Sequence, residues 1–165
     1  YGRDWRYLGG DDRVWKPGEL YRRRLSQPWR AGLAAYFADM LIRIYLGLAA
    51  LAFAPFGLWS LLQPLGMTSS LGVEVSGPNG AYEMSGIYGG VSLAAALLSA
   101  AGALTVRFQR PALWFLATYM GGYVFARAAA WLMHGPPTSQ FFTFIAFEVV
   151  MLIGAAAGLH AKRGS

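Results

Sequence analysis

ALWFLATYMGGYVFARAAAWLM (112–133), HGPPTSQ (134–140) and FFTFIAFEVVMLIGAAAGLHA (141–161) read as two long apolar runs joined by a short break. A bilayer core takes about 20 consecutive apolar residues per helix, and each run has that length. The break holds Gly135, Pro136 and Pro137, residues that end helices and turn the chain. Each run keeps one charged residue in its interior, Arg127 in the first and Glu148 in the second. Working outward, two further runs have the same character: IYLGLAALAFAPFGLWSLL (44–62) and GIYGGVSLAAALLSAAGALTV (86–106). Pro64 and Gly66 follow the first of these, and Arg110-Pro111 is the expected break between the second and Ala112. Pro55 lies inside the 44–62 run and is expected to kink it. The fold class this predicts is all-α, an integral membrane four-helix bundle with spans at about 44–62, 86–106, 112–133 and 141–161. The membrane domain would cover residues 41–165, after an amphipathic or irregular cytoplasmic and interfacial arm at 1–40.

The composition agrees with that reading. Of 165 residues, 56% are hydrophobic and 13% charged, against about 25% charged in soluble domains. The chain has no cysteine, which excludes a disulfide scaffold, a thiolate metal site and a cysteine nucleophile. Its net charge of +6 is unevenly placed: residues 1–30 hold eight Lys/Arg and four Asp/Glu, whereas 44–106 hold no Lys or Arg and two acids, Glu74 and Glu83. Basic residues stay on the cytoplasmic side of a membrane. Nine precede Ile44, Arg107 and Arg110 follow the second run, and Lys162 and Arg163 follow the fourth, while 63–85 and 134–140 have none. A bacterial inner-membrane protein with both termini cytoplasmic is the expectation. The first run begins too far from residue 1 and lacks the cleavage site of a signal peptide. Tyr1 is not an initiator Met, so the chain is expected to be processed or incompletely represented.

The arm interleaves Trp5, Tyr7, Trp15, Tyr21 and Trp29 with arginines that include Arg22, Arg23 and Arg24. Aromatic residues with arginines suit a lipid headgroup surface and equally a partner protein, where Trp, Tyr and Arg are enriched. Membrane lipids and other membrane-protein subunits are therefore the expected partners. Nucleic acid is not expected, because Asp4, Asp11, Asp12 and Glu19 dilute the field and no recognition motif is present. Residues 29–43 are amphipathic, with Asp39 and Arg43 spaced as a helical ion pair.

Charges inside a membrane are costly, usually paired, and often functional. Arg127 and Glu148 each fall roughly 10 Å below the outer boundary at 1.5 Å per residue, on runs expected to be antiparallel neighbours. Glu83 and Tyr88 enter from the same side, and Tyr119 and Tyr123 offer hydroxyls nearby. An outward-facing polar cluster of Arg127, Glu148, Glu83 and Tyr88 is predicted, either as a structural tie between helices or as a site for a substrate, quinone, lipid or proton. Glycines at 86, 89, 90, 154 and 158 supply close helix packing. The loop around Val73-Glu74-Val75 and Ser76-Gly77-Pro78-Asn79-Gly80 could form a small hairpin, though an irregular cap is the simpler expectation.

No Ser/His/Asp arrangement, metal-ligand spacing or catalytic carboxylate pair is readable, so no catalytic residue and no metal is assigned. His134 and His160 are the only histidines and are expected on opposite faces, so they cannot jointly hold a haem or metal. A tetrapyrrole on His160 alone is a minor alternative, and no cofactor is predicted.

The element Glu83-Met84-Ser85-Gly86-Ile87-Tyr88-Gly89-Gly90, with Arg127 and Glu148, resembles a bacterial domain-of-unknown-function family of small four-helix membrane proteins related to the DoxX-like group. The resemblance covers about residues 41–163, and its most specific part is Glu-x-x-x-x-Tyr-Gly-Gly. That family often has a basic residue two after the glutamate, where this chain has Ser85. The family has no assigned activity, so the resemblance implies a fold and leaves function open; the arm lies outside it. The functional expectation from the residues is a non-catalytic accessory or assembly subunit of a larger bacterial inner-membrane complex, respiratory or photosynthetic in type. The alternative is a small transporter or a membrane redox or lipid-handling protein that uses the Arg/Glu/Tyr cluster.

Overall fold

The computed structural model describes residues 28–163. Contacts divide the chain into Tyr1–Tyr36 and Phe37–Ser165; of the first unit, residues 28–36 are helical, and the account below concerns the second. The regular structure among the described residues is all helical, with no strand. Helix α1 is Pro28–Leu62 and takes in the amphipathic 29–43 segment. It ends at Gln63, where Pro64 withholds its N–H and opens the short helix α2, Pro64–Ser70.

Residues 77–84 turn out helical. Ser76 is extended, Gly77 has φ of +74° and Pro78 follows as a good first-turn residue, so helix α3 starts here and runs Gly77–Met84. The hairpin reading of this loop is therefore corrected. A π-helical turn at Ser85–Gly90 joins α3 to α4, Val91–Leu104, in one helical rod from Gly77 to Leu104. The second apolar helix thus begins nine residues earlier than the apolar run alone predicts.

The break before the next helix is also displaced from the expected Arg110-Pro111. Thr105, extended at φ −133° and ψ 122°, makes the turn, and α5 is Val106–His134 with Pro111 inside it. As the sixth residue of the helix, Pro111 forfeits the backbone bond that an N–H there would make to the Arg107 carbonyl, and the helix continues through it. Gly135, at φ +84°, closes α5; a 3₁₀ turn at Ser139–Phe141 then leads into α6, Phe142–Ala161.

Among the described residues, three helices are long and apolar enough to cross a membrane: Ala35–Leu62, Gly77–Leu104 and Phe142–Ala161. Helix α5 has comparable length, but Tyr119, Gly121, Gly122, Tyr123 and Arg127 dilute its apolar run. The helices meet in one core of Leu46, Ala49, Ala95, Ala96, Leu113 and Leu116, among others. Many large apolar side chains are nevertheless left outside it: Leu51, Leu62, Leu97, Phe125, Leu132 and Val150 are all exposed. A water-soluble domain rarely leaves so many large apolar side chains on its surface.

Absent side chains set how closely the helices approach. A Cβ on Gly57 of α1 would stand 2.9 Å from the Leu93 backbone nitrogen, and one on Gly89 would stand 3.1 Å from the Leu61 Cα. The wide turn at 85–90 and α1 are therefore in backbone contact. On α6 the two glycines serve contacts within this chain. Gly154 accommodates the Tyr45 ring, and Gly158 the Leu113 side chain. Tyr45 also donates its hydroxyl to the Met151 carbonyl at 2.6 Å, tying α1 to α6.

Candidate functional site: an ion pair beside an aromatic cavity

Helix α5 packs against α6 and against α4. Arg127 sits two turns before the end of α5 and Glu148 two turns after the start of α6, so the short 135–141 connection brings them level. The arginine Nε donates to Glu148 Oε2 at 2.5 Å, and Nη2 donates to Oε1 at 2.6 Å. This fork is the strongest arrangement the two groups can make. Both are largely withdrawn from the surface, with side-chain exposures of 22% and 8%. The guanidinium carbon also lies 4.5 Å from the Phe141 ring centre and 5.4 Å from that of Tyr123, within cation–π range.

The pair borders a cavity of about 320 Å³. Helix α1 contributes Ala52, Phe53 and Phe56; the π turn and α4 contribute Tyr88 and Ser92; α5 adds Tyr119, Met120 and Tyr123. The wall is completed by Leu71 and by Phe141, Thr143, Phe144 and Phe147. Ring contacts hold much of this surface in place: Phe53 packs on Tyr119 and Phe147, Phe56 on Tyr88, and Tyr119 on Tyr123. Tyr119 and Ser92 share a hydroxyl hydrogen bond at 3.3 Å. Arg127 and Phe141 also border a second pocket, of about 290 Å³, with Trp131, His134 and Pro136.

Of the residues singled out in the sequence, Arg127, Glu148 and Tyr88 share this cavity wall. Glu83 does not join them: it is exposed on α3, outside the cavity lining, and has no ion pair among the described residues. Trp5, Tyr7, Trp15, Tyr21, Arg22, Arg23 and Arg24 lie outside the described residues, as does the side chain of Trp29. His160 is exposed in the last turn of α6 and His134 at the end of α5. Among the described residues no group of three or more His, Asp or Glu could hold a metal ion.

Phe53, Phe56, Phe144 and Phe147 went unnoticed in the sequence because aromatic residues in apolar runs carry no mark of which way they face. A second polar cluster, at the opposite helix ends, was half visible. Asp39 accepts from Arg43 Nε at 2.9 Å, as their four-residue spacing suggests, and also from Lys162 Nζ at 3.0 Å. Arg43 Nη1 in turn donates to the carbonyls of Ala103 and Leu104 at 3.3 and 3.4 Å, capping the end of α4.

The fold and the site define a helical protein with apolar helices fit to cross a membrane and an ion pair set beside an aromatic cavity. Residues 41–158 match the family described as a domain of unknown function, DUF4345, and the chain belongs to that family. No curated protein and no solved structure is detectably similar to it.

Proposed function

We propose that the chain is a four-span integral membrane protein with both termini cytoplasmic, and that it binds a small lipophilic molecule in the cavity bordered by Arg127 and Glu148. The observation that carries this reading is the cavity itself: its volume of about 320 Å³ lies at the lower end of the range of about 300–1,000 Å³ for small-molecule sites. Such sites pair apolar walls with a few polar groups, and here an aromatic lining meets one buried ion pair. The placement of all soluble basic residues on one side of a four-span arrangement supports the orientation. The outward-facing large side chains support a lipid surroundings.

The test is organic extraction and mass spectrometry of the protein purified from its membrane in mild detergent. A small molecule recovered in proportion to the wild-type chain, and lost from Ala52→Phe, which fills the cavity, is the expected result. Equal recovery from both, or none from either, contradicts the reading.

A second reading, as an accessory or assembly subunit of a larger bacterial inner-membrane complex, is favoured by the alternation of Trp, Tyr and Arg in residues 1–30. It predicts partner chains that co-purify and are lost on deleting residues 1–27; a lone chain that carries a small molecule would contradict it.

A further inference from the structure

The cavity wall limits what the molecule can be, and this step rests on the binding reading just given. Among the described residues, Arg127 and Glu148 are the only charged ones on the wall, and they neutralise each other through two short hydrogen bonds. An anion placed here would find its single cation already engaged by a carboxylate. A cation would find the carboxylate engaged by a guanidinium. Either would carry an uncompensated charge into an apolar space, or would have to pull the ion pair apart, and both are costly. A neutral molecule meets neither penalty.

The wall's unused hydrogen-bonding capacity has a direction. Arginine carries five N–H donors and no acceptor. The fork to Glu148 uses Nε and one hydrogen of Nη2, and Nη1 has no acceptor among the described residues. The tyrosines at 88 and 123 add hydroxyls to the same wall, while that of Tyr119 is shared with Ser92. Donors of this kind call for an acceptor oxygen, and the surrounding rings favour an aromatic or otherwise ring-bearing body. We infer that the cavity takes a neutral, ring-bearing molecule with a carbonyl-type oxygen, which accepts a hydrogen bond from the free edge of Arg127 while the Arg127–Glu148 pair stays closed.

Four probes with one ring system separate the possibilities: 2-acetylnaphthalene, 2-ethylnaphthalene, 2-naphthoate and 2-naphthyltrimethylammonium. Binding of each to the full chain in nanodiscs is measured by equilibrium dialysis, with empty nanodiscs of the same lipid subtracted. The ketone is expected to bind about tenfold or more tightly than the carboxylate and the ammonium, and measurably more tightly than the hydrocarbon. In the double variant Arg127→Met/Glu148→Met, which removes the donor without stranding a charge, the ketone should lose its advantage over 2-ethylnaphthalene while the hydrocarbon still binds. The carboxylate or the ammonium binding most tightly would overturn this inference and leave the binding reading standing. Equal binding of ketone and hydrocarbon to the wild-type chain would overturn it as well. Absence of saturable binding by all four would overturn the binding reading and this inference together.

Discussion

Arg127 gives two of its N–H donors to Glu148 and lays its guanidinium against Phe141 and Tyr123, so each charge depends on the other. Removing one partner leaves a charge in an apolar setting, and the loss exceeds what the pair contributes when intact. Glu148→Gln and Arg127→Met should each lower stability by about 3 kcal/mol, read as unfolding of the purified protein in detergent. Replacing both by Met should recover part of that loss, because no charge is then stranded. Single variants that unfold like the wild type would show that the pairing contributes nothing. The closeness of these two residues follows from features plain in the sequence: a charge in each apolar run at equal depth, and a connection too short to separate the helices. The exposure of Glu83, the Lys162 bond to Asp39 and the Tyr45 bond to Met151 had no such signal. Each depends on how a helix is rotated about its own axis. In helices that are apolar on every side, no polar face fixes that rotation for a reader of the sequence.

At the level of elements, glycine position matters more than glycine number. Gly47 and Gly57 share α1, yet a Cβ on Gly47 would meet nothing within 4 Å, whereas one on Gly57 would press on the Leu93 backbone at 2.9 Å. Gly57→Ala should therefore destabilise the protein by about 1–3 kcal/mol through overpacking. Gly47→Ala should be neutral or stabilising by up to about 1 kcal/mol, the difference in helix propensity. Thermal unfolding of the two variants side by side checks this, and equal effects would contradict the close approach of α1 to the 85–93 segment. The same packing explains why the Tyr88-Gly89-Gly90 stretch sits where it does. Gly89 lets the π turn reach α1, and that wide turn, a feature often found at functional sites, sets Tyr88 on the cavity wall. Helix existence was legible from the apolar runs, but the ends were less so. Gly77–Met84 became helix because Ser76, Gly77 and Pro78 form a good start, and the break before α5 fell at the extended Thr105, which leaves Pro111 inside the helix.

For the molecule as a whole, α5 decides the topology. That helix carries Arg127 and three further residues of the cavity wall, and it is the long helix whose apolar run is most diluted. If α5 crosses the membrane, the chain has four spans, the Arg127–Glu148 pair lies in the outer half, and the cavity is surrounded by lipid. If α5 does not cross, Arg127 meets an aqueous or interfacial setting, where a lipophilic ligand would not collect. The chain has no native cysteine, which permits a direct measurement. Thr105→Cys and Thr138→Cys place single thiols at exposed positions just outside the two ends of α5, to be labelled with a membrane-impermeant maleimide in vesicles of both orientations. Labelling from opposite faces, with Cys at position 105 on the cytoplasmic side, is the result four spans require; labelling of both from the same face would contradict the account.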